Sequence, residues 1–516
     1  MFNKMTGWKA PWVRFFLVAG AFLLFIPSSF SQFSFDVNCK HAYEDILSLR
    51  FSEAHDLITL EKKMNPDNLI PLYLENYIDF LTLIIGEERK VYDQLKEKKG
   101  DRLKLLEKGR DDTPFYNFCL GETHLQWAFA RLKFGDYTTA AFEIHKANAF
   151  FSANETRYPS FLINKIGLGV VHVMVSLVPD NYKWVSNLVG LDGSMELGMS
   201  EIRQVALYSG TDEIIRMYKP QASFLLAFLT LNLQKNRKDA LALLELFNTQ
   251  SPDDQQSKSL LLIYARASIL MKNGLNDEAL AILHERATLS QTFHFYYLDY
   301  LEGIARLNKL DYSASIYFER FIAGFRGQNY IRSAYQKLAW IALLEGDSAG
   351  YIRRMNQALS HGSLVVDEDK QAAYEAAKGV APNTILLRSR LLFDGGYYNP
   401  AVSELLNNSV KTIVRSKRDL VEYTYRLGRI YHETGNFAKA IGNYKQTVLR
   451  GKTEPYYFAA SAAYQMGLLY ENTGEYVKAD SAYHQCLSIK TAEYKTSLHQ
   501  KAKAGLNRLK TVKSKT

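Results

Sequence analysis

Residues 425–444, YRLGRIYHETGNFAKAIGNY, and residues 464–483, YQMGLLYENTGEYVKADSAY, carry the pattern that decides the fold. The two segments align without a gap at an offset of 39 residues, and eight positions are identical in both. Self-similarity at such a period is typical of repeat proteins, in which each unit packs on its neighbours. The sequence therefore predicts a repeat array and not a single compact core.

Each copy predicts a pair of antiparallel helices. Leu427, Gly428 and Tyr431 are spaced so that they share one side of a first helix. Gly435 is expected to end this helix, because glycine adopts the left-handed backbone conformation of a helix C-terminus. A second helix then runs through Tyr444. Gly428, like Gly467 in the other copy, is expected to lie where the second helix comes close.

The second helix completes a recognisable motif. Ala440 and Tyr444 lie one turn apart, and Phe437, like Tyr476 in the other copy, is expected to fill the turn between the helices. The copies resemble the tetratricopeptide repeat (TPR), which has Leu-Gly-x-x-Tyr, then Ala-x-x-x-Phe, and about 34 residues per unit. The resemblance implies an all-α fold: an α-solenoid of TPR-type antiparallel helix pairs, here with an irregular helical N-terminal region.

Weaker copies precede these two. The residues equivalent to Leu427 are Ala227, Arg266, Glu302, Leu338, Arg388, Leu427 and Met466. Successive steps between them are 39, 36, 36, 50, 39 and 39 residues. The long step contains the polar stretch 361–382, which we expect to be an extra turn or loop.

The pattern divides the chain into six parts. They are a signal peptide (1–31), degenerate helical N-terminal repeats (32–112), a TPR-like hairpin (113–158), an irregular helical segment (159–218), the TPR array (219–489), and a basic C-terminal capping helix and tail (490–516).

The first residues have the form of an export signal. Three basic residues precede an apolar run at 15–26, and Ser29 and Ser31 fit cleavage before Gln32. The run of 12 residues is short for a membrane span of about 20, so we favour cleavage over a retained signal anchor. Cys39 is not preceded by a lipid-attachment motif. The expected location is the periplasm or the outer membrane surface.

The positive charge belongs to the ends of the chain. The formal net charge is +9, of which the signal contributes three and residues 490–516 contribute seven. The rest of the chain is close to neutral, so the composition does not predict nucleic-acid binding. The tail is expected either to cap the array as a solvated helix or to contact anionic lipid.

The segment 163–208 interrupts the repeat pattern. We interpret it as a buried helix that lacks a hairpin partner; the alternative is an interfacial element that makes a weak membrane-surface contact through Trp184. Ser176-Leu-Val-Pro179, Gly190-Leu-Asp-Gly193 and Gly198-Met199 resemble a Ser-Leu-Leu-Pro … Gly-Phe-x-Gly-Asp … Gly-Leu pattern. That pattern is found in eukaryotic TPR proteins of the outer mitochondrial membrane. The resemblance implies that the segment is an integral part of the fold.

Signatures of catalysis are absent from the sequence. There is no His-Glu-x-x-His, no phosphate loop ending in Gly-Lys-Ser/Thr, and no Gly-x-Ser-x-Gly. Cys119 and Cys486 are expected to be buried thiols and not metal ligands. We therefore predict a non-enzymatic protein with no cofactor and no metal site.

The resemblance also implies a concave groove, lined by first helices, that binds a protein or peptide. Tyrosine and arginine are frequent interface anchors. The register of the last repeats directs the following candidate binding residues into the groove: Tyr425, Arg429, His432, Tyr464, Glu471, Tyr264, Tyr297 and Tyr300. TPR proteins that clamp a C-terminal carboxylate use Lys and Asn where this chain has Tyr425 and Arg429, so that ligand is not expected.

Three functions remain open at this point. The first is an exported scaffold that mediates protein–protein interaction at the cell envelope. The second is glycan or nutrient capture, because certain outer-membrane sugar-binding proteins of gut and marine bacteria also carry TPR helices. The third is a lipid-contacting envelope protein that uses Trp184 and the basic tail.

Overall fold

The structure is a computed structural model, and it describes residues 32–177, 193–231, 237–248, 259–289, 291–491 and 493–513. Within these ranges the regular structure is helical and contains no strand, which confirms the predicted all-α solenoid. Residues 1–31, the predicted signal peptide, lie outside the described ranges. No helix in the described ranges is long and apolar enough to cross a lipid bilayer.

The helices of the N-terminal half precede the regular array. They are α1 (Val37–Leu47), α2 (Phe51–Met64), α3 (Ile70–Gly86), α4 (Arg89–Leu106), α5 (Pro114–Lys133), α6 (Tyr137–Arg157), α7 (Asn164–Ser176) and α8 (Met195–Ala206).

The array then follows in chain order. Its helices are α9 (Glu213–Leu229), α10 (Arg237–Ala242), α11 (Glu245–Asn248), α12 (Leu260–Lys272), α13 (Asn276–His284), α14 (Tyr297–Asn308), α15 (Ala314–Gly324), α16 (Ile331–Leu344), α17 (Ser348–Ser360), α18 (Asp367–Lys378), α19 (Thr384–Asp394), α20 (Tyr398–Leu406), α21 (Val410–Ile413), α22 (Lys417–Glu433), α23 (Phe437–Gly451), α24 (Phe458–Asn472), α25 (Tyr476–Ser488) and α26 (Lys495–Lys513).

One turn geometry recurs where the chain reverses between paired helices. A single residue has a positive φ angle, and the N–H of the next residue donates to the carbonyl five positions back, at 2.8–3.0 Å. This is the Schellman closure of a helix C-terminus. The left-handed residues are Leu49, Gly135, Gly274, Leu310, Gly346, Gly396, Gly435 and Gly474. Gly435 and Gly474 therefore end their first helices as the sequence predicts.

Small residues in the first helices bring the paired helices into contact. A Cβ atom on Gly428 would lie 2.6 Å from the Tyr444 ring, and one on Gly303 would lie 2.8 Å from Phe318. The same relation joins Gly467 to Tyr483. Tyr444, Phe318 and Tyr483 are fully buried. The predicted close approach of the second helix to Gly428 and Gly467 is thus confirmed.

Two details differ from the prediction. Phe437 and Tyr476 do not fill the turns; they start their helices at the surface and are 44% and 37% exposed, because the Schellman bond closes the turn without a side chain. The region 361–382 is not only a turn or loop, since it contains helix α18. An acidic first turn, Asp367 to Asp369, favours this helix.

The irregular segment also contains a helix pair. Helices α7 and α8 cross at Gly169 and Gly198, where a Cβ on Gly169 would lie 2.6 Å from the Gly198 carbonyl oxygen. His172 Nδ1 lies 2.7 Å from a carboxylate oxygen of Glu201 across the same contact. The expectation that the first of these helices lacks a partner is therefore wrong. Trp184 lies outside the described residues.

The N-terminal helices pack onto the array through buried aromatic rings. Tyr43 of α1 and Tyr218 of α9 have ring centroids 4.5 Å apart, and Tyr73 of α3 lies 3.3 Å from Tyr218, hydroxyl to hydroxyl. Farther along the array, Phe293 donates its N–H to the Leu49 carbonyl at 2.7 Å. The N-terminal region is thus joined to the array at several repeats.

The C-terminal helix caps the last pair. Leu498, Ala502 and Leu509 of α26 are buried. Glu493, the acid of the basic tail, is also buried and accepts from Lys378 of α18 at 3.1 Å and from Arg418 of α22 at 3.5 Å. The tail therefore has the packed position expected of a cap.

We predict opposite effects for alanine at two glycines. In Gly467→Ala the new Cβ would collide with the buried Tyr483 ring, and we expect a loss of about 1 to 3 kcal/mol of stability. Gly442 lies inside α23 and is exposed, with open space where a methyl group would lie, so Gly442→Ala should gain about 0.5 to 1 kcal/mol through helix propensity. Calorimetric unfolding of both variants tests this, and equal shifts would contradict the crossing described above.

Candidate functional site

The first helices of the array enclose a cavity of about 400 Å³. Residues of α9, α12, α14, α16, α18 and α19 line it. Much of its wall is aromatic, contributed by Phe224, Phe228, Tyr264, Tyr297, Tyr300, Tyr330 and Trp340. The volume lies within the range of ligand pockets, which are mostly apolar with a few polar groups.

A contact between two hairpin turns lies at one end of this cavity. Gly274, after α12, and Gly396, after α19, touch so closely that a Cβ on Gly396 would overlap the Gly274 carbonyl. Tyr397 then donates its hydroxyl to Asp277 at 2.9 Å, which holds the two turns together. Because Lys272 and Asp394, just before these turns, both line the cavity, the contact closes that end of it.

The inserted helix α18 contributes Glu368 to the lining of the cavity and supports helix α16 beside it. Asp369 accepts the N–H groups of Tyr330 at 2.7 Å and Ser333 at 2.9 Å, so it caps the start of α16. Tyr330 has a φ of 65°, and the Asp369 bond fixes it in that unfavourable conformation. Burial raises the pKa of Asp369 to about 6. Glu375 of α18 accepts from the Trp340 ring N–H at 2.7 Å.

Two cations meet at Trp340. The Lys337 ammonium lies 4.0 Å and the Arg390 guanidinium 5.0 Å from the centroid of its indole ring. Burial, followed by the charge of Arg390, lowers the pKa of Lys337 from 10.5 to about 7. A cation over the face of a tryptophan is favourable, but two close cations with little water are costly.

Three of the sequence-predicted binding residues line the cavity. They are Tyr264, Tyr297 and Tyr300. Tyr297 and Tyr300 stack with ring centroids 5.4 Å apart, and Tyr300 also bonds Ser333 of the next first helix at 2.8 Å. Burial raises the pKa of Tyr297 and of Tyr300. These phenols therefore stay neutral and act through their rings and hydroxyl groups.

The other five lie in the C-terminal part of the array, away from this cavity. Tyr425 is buried and bonds Ser461 at 2.8 Å, as Tyr300 does with Ser333, so both tyrosines tie consecutive first helices together. Arg429 donates to the Tyr425 hydroxyl at 3.3 Å and packs over Phe393. His432 lies 3.2 Å from the Tyr444 hydroxyl.

The last two candidates face the capping helix. Glu471 accepts two bonds from Arg508 of α26, both at 2.7 Å, and one from Tyr483. Tyr464 is half-buried, and its ring centroid lies 6.0 Å from that of Tyr483. The structure does not bring these residues together with the cavity tyrosines.

Lys337, Trp340 and Arg390 are not among the residues predicted from the sequence. The positions of two of them, Trp340 and Arg390, could have been inferred from their places in the repeat. Tyr425 and Arg429 stand two before and two after the repeat position Leu427. The same offset, two after Leu338 and Arg388, gives Trp340 and Arg390, both of which line the cavity. Lys337 immediately precedes Leu338 and has no counterpart among the residues chosen from the last repeats.

Metal-type ligands come together at one place in the described part of the chain. Oxygen and sulfur atoms of Asp36, Cys39 and Glu61 lie within 4.8 Å of one another. Glu61 is already bonded to Asn68 at 2.8 Å, and burial raises the pKa of Asp36 and of the Cys39 thiol. Metal ligation needs deprotonated groups, so this cluster fits a hydrogen-bonded core.

The predicted burial of the Cys119 and Cys486 thiols is confirmed.

Comparison with known families gives two matches. A family model described as Iml2/Tetratricopeptide repeat protein 39 matches residues 145–302, which include the segment 163–208. A second model, described as tetratricopeptide repeat, matches residues 460–493, which include the whole of the second copy quoted above. No curated protein matches the chain.

Two solved structures are also similar. One is the TPR domain of P58(IPK), with 13% identity, a TM-score of 0.22, and coverage of 77% of this chain and 99% of that chain. The other is the APC/C hetero-tetramer Cut9–Hcn1, with 15% identity, a TM-score of 0.23, and coverage of 93% of this chain and 99% of that chain.

The helix pairs and their recurring turns define an α-solenoid, whose stacked units present one concave face. The sequence motif and the two family models, which match residues 145–302 and 460–493, support a protein of the tetratricopeptide repeat superfamily. TPR proteins are generally non-enzymatic scaffolds for protein–protein interaction.

We predict that the turn contact stabilises the cavity. Gly396→Ala must accommodate a methyl group against the Gly274 carbonyl in addition to an unfavourable φ of 83°. The matched control is Gly435→Ala, whose φ is 77° and whose Cβ would have no neighbour within 4 Å. We expect a loss of about 1 to 2 kcal/mol for the control and a further 1 to 3 kcal/mol, roughly, for Gly396→Ala. Thermal unfolding measures both, and equal losses would show that the contact contributes nothing.

We also predict that Lys337→Met stabilises the protein in a pH-dependent way. The unfolded chain binds a proton at Lys337 up to about pH 10.4, whereas the folded chain releases it above about pH 7. Folded stability should therefore fall as pH decreases between these values. The gain on Lys337→Met should be about 1 to 3 kcal/mol at pH 7 and vanish near pH 10.5. Denaturation across this pH range, with the exposed Lys445→Met as control, tests it; a gain independent of pH would refute it.

Proposed function

We propose that this protein is an exported scaffold that holds a protein partner at the cell envelope through the concave cavity of its repeats. The observation that carries the proposal is the cavity itself. It lies on the first helices of successive repeats, which is the face that TPR proteins use for partner binding, and its wall is aromatic. Aromatic side chains in a partly desolvated recess supply most of the energy of many protein interfaces.

Export is supported by the sequence of residues 1–31, with its basic start, apolar run and small residues before Gln32. The body of the protein, close to neutral between the two basic ends, favours an interface made by shape and apolar contact. Glycan capture is the second candidate, because tyrosine and tryptophan side chains that line a cavity can also stack on sugar rings.

Capture of the partner from the protein's own cells by crosslinking tests the proposal. Ile304 lines the cavity, and Ile304→Trp would fill it. Ile316 lies on the second helix of the same repeat and is 57% exposed, so Ile316→Trp is the matched control. We expect the wild type and Ile316→Trp to recover the same protein and Ile304→Trp to lose it, with unchanged thermal midpoints. N-terminal sequencing should begin at Gln32.

Two results would contradict the proposal. Recovery that is indifferent to Ile304→Trp would remove the cavity as the binding site. Recovery of no protein, together with a rise in thermal midpoint when oligosaccharides are added, would favour glycan capture, since a ligand that binds only the folded state stabilises it. Tyr425→Ala is less suitable for this test, because it removes a buried side chain and would also lower stability.

A further inference from the structure

Two cations lie together in the lining of the cavity, most of which is aromatic or aliphatic. Lys337 and Arg390 both contact the Trp340 ring, at 4.0 and 5.0 Å from its centroid. Their charged groups therefore lie within about 9 Å of each other. Most of the other lining residues, including Phe224 and Phe228 of α9, are aromatic or aliphatic.

Neither cation donates a hydrogen bond to a carboxylate within the described part of the chain. The Lys337 ammonium donates to the neutral Gln336 amide at 2.7 Å. Arg390 forms a loose ion pair with Asp394, with 3.7 Å between Nε and Oδ2, which is beyond hydrogen-bond distance. Glu375 of α18 favours the charged form of Lys337 electrostatically. Its two carboxylate oxygens, however, already accept bonds from the Trp340 N–H and the Gln336 amide, each at 2.7 Å.

The acids of the cavity lie nearer to water than these cations. Glu368 is exposed, and the Asp394 side chain is 47% exposed, compared with 30% for Arg390. The lining carries Lys272, Lys337 and Arg390 against these two carboxylates, so its net charge is positive. An anionic group entering at Trp340 would complete charge-assisted hydrogen bonds that the protein leaves unmade.

We propose that the partner places an acidic side chain, Asp or Glu, against Arg390 and Lys337, with an apolar side chain of the same segment against the aromatic residues of the cavity. This inference rests on the proposed function and adds the chemistry of the partner. The partial burial and the lowered pKa of Lys337 support it, because a carboxylate brought into contact would stabilise its charged form.

Selection of a displayed library of random peptides on the full protein tests the charge of the bound segment. We expect enriched peptides to share one Asp or Glu next to an aromatic or aliphatic residue. Replacing that acid by its amide should weaken binding at least about tenfold. Arg390→Met should weaken binding of the acidic peptide by a similar factor. It should leave the affinity for the amide peptide unchanged, because the change in the protein and the change in the peptide remove the same contact.

Controls separate this inference from loss of folding and from the proposed function. We expect Lys337→Met to be more stable than the wild type and also to bind the acidic peptide more weakly. Weaker binding by this variant would therefore not come from unfolding. Arg353→Met, at an exposed cation on the second helix of the same repeat, should have no effect. Enriched peptides without an acid, no enrichment, or equal binding to Arg390→Met would overturn the inference. Partner capture that is lost in Ile304→Trp but kept in Arg390→Met would overturn it and leave the proposed function intact.

Discussion

The backbone bond that closes each hairpin sets the geometry on which the rest of this structure depends. A left-handed residue, glycine in most of the turns, lets the following N–H reach the carbonyl five positions back, and the chain reverses within a few residues. Two helices joined so tightly must pack side by side. A glycine such as Gly428 in the first helix then lets an aromatic ring from the second pack directly on its backbone. These pairs stack, and their first helices share one concave face.

The cavity follows from this stacking together with two features that are particular to this chain. Contact between Gly274 and Gly396 closes the array on itself at one end of the cavity. The inserted helix α18 contributes Glu368 to the lining, caps α16 through Asp369 and engages Trp340 through Glu375. The same helix reaches the C-terminal tail through Lys378 and Glu493. The wall of the cavity is therefore held by residues distant from it in sequence.

The sequence predicted the fold well because the two copies at 425–444 and 464–483 contain the glycines that end the first helices and the glycines at which the helices cross. It predicted the site less completely. Tyr425 and Tyr300 share a position in the repeat, and both bond a serine of the next first helix, yet only Tyr300 lines the cavity. Only Tyr300 lies near the place where Gly274 contacts Gly396. These two glycines are 122 positions apart, and a local sequence pattern does not predict a contact at that separation. The helix in 361–382 was missed because its polar residues resemble a loop, although its acidic first turn favours a helix.

A solenoid can usually gain or lose a unit, because each unit contacts only its neighbours. The contact of Gly274 with Gly396 removes that freedom from the middle of this chain. Adding or deleting a repeat between them would separate the two turns and open the cavity. Gly435 and Gly474 have no such neighbour, and the number of units at the C-terminal end is restrained instead by the bond between Lys378 of α18 and Glu493 of the tail. The two most similar copies in the chain lie at that end, whereas the repeats around the cavity match the pattern less closely. The length of this array is therefore restrained at two places, by the turn contact at the cavity and by the contact of α18 with the tail.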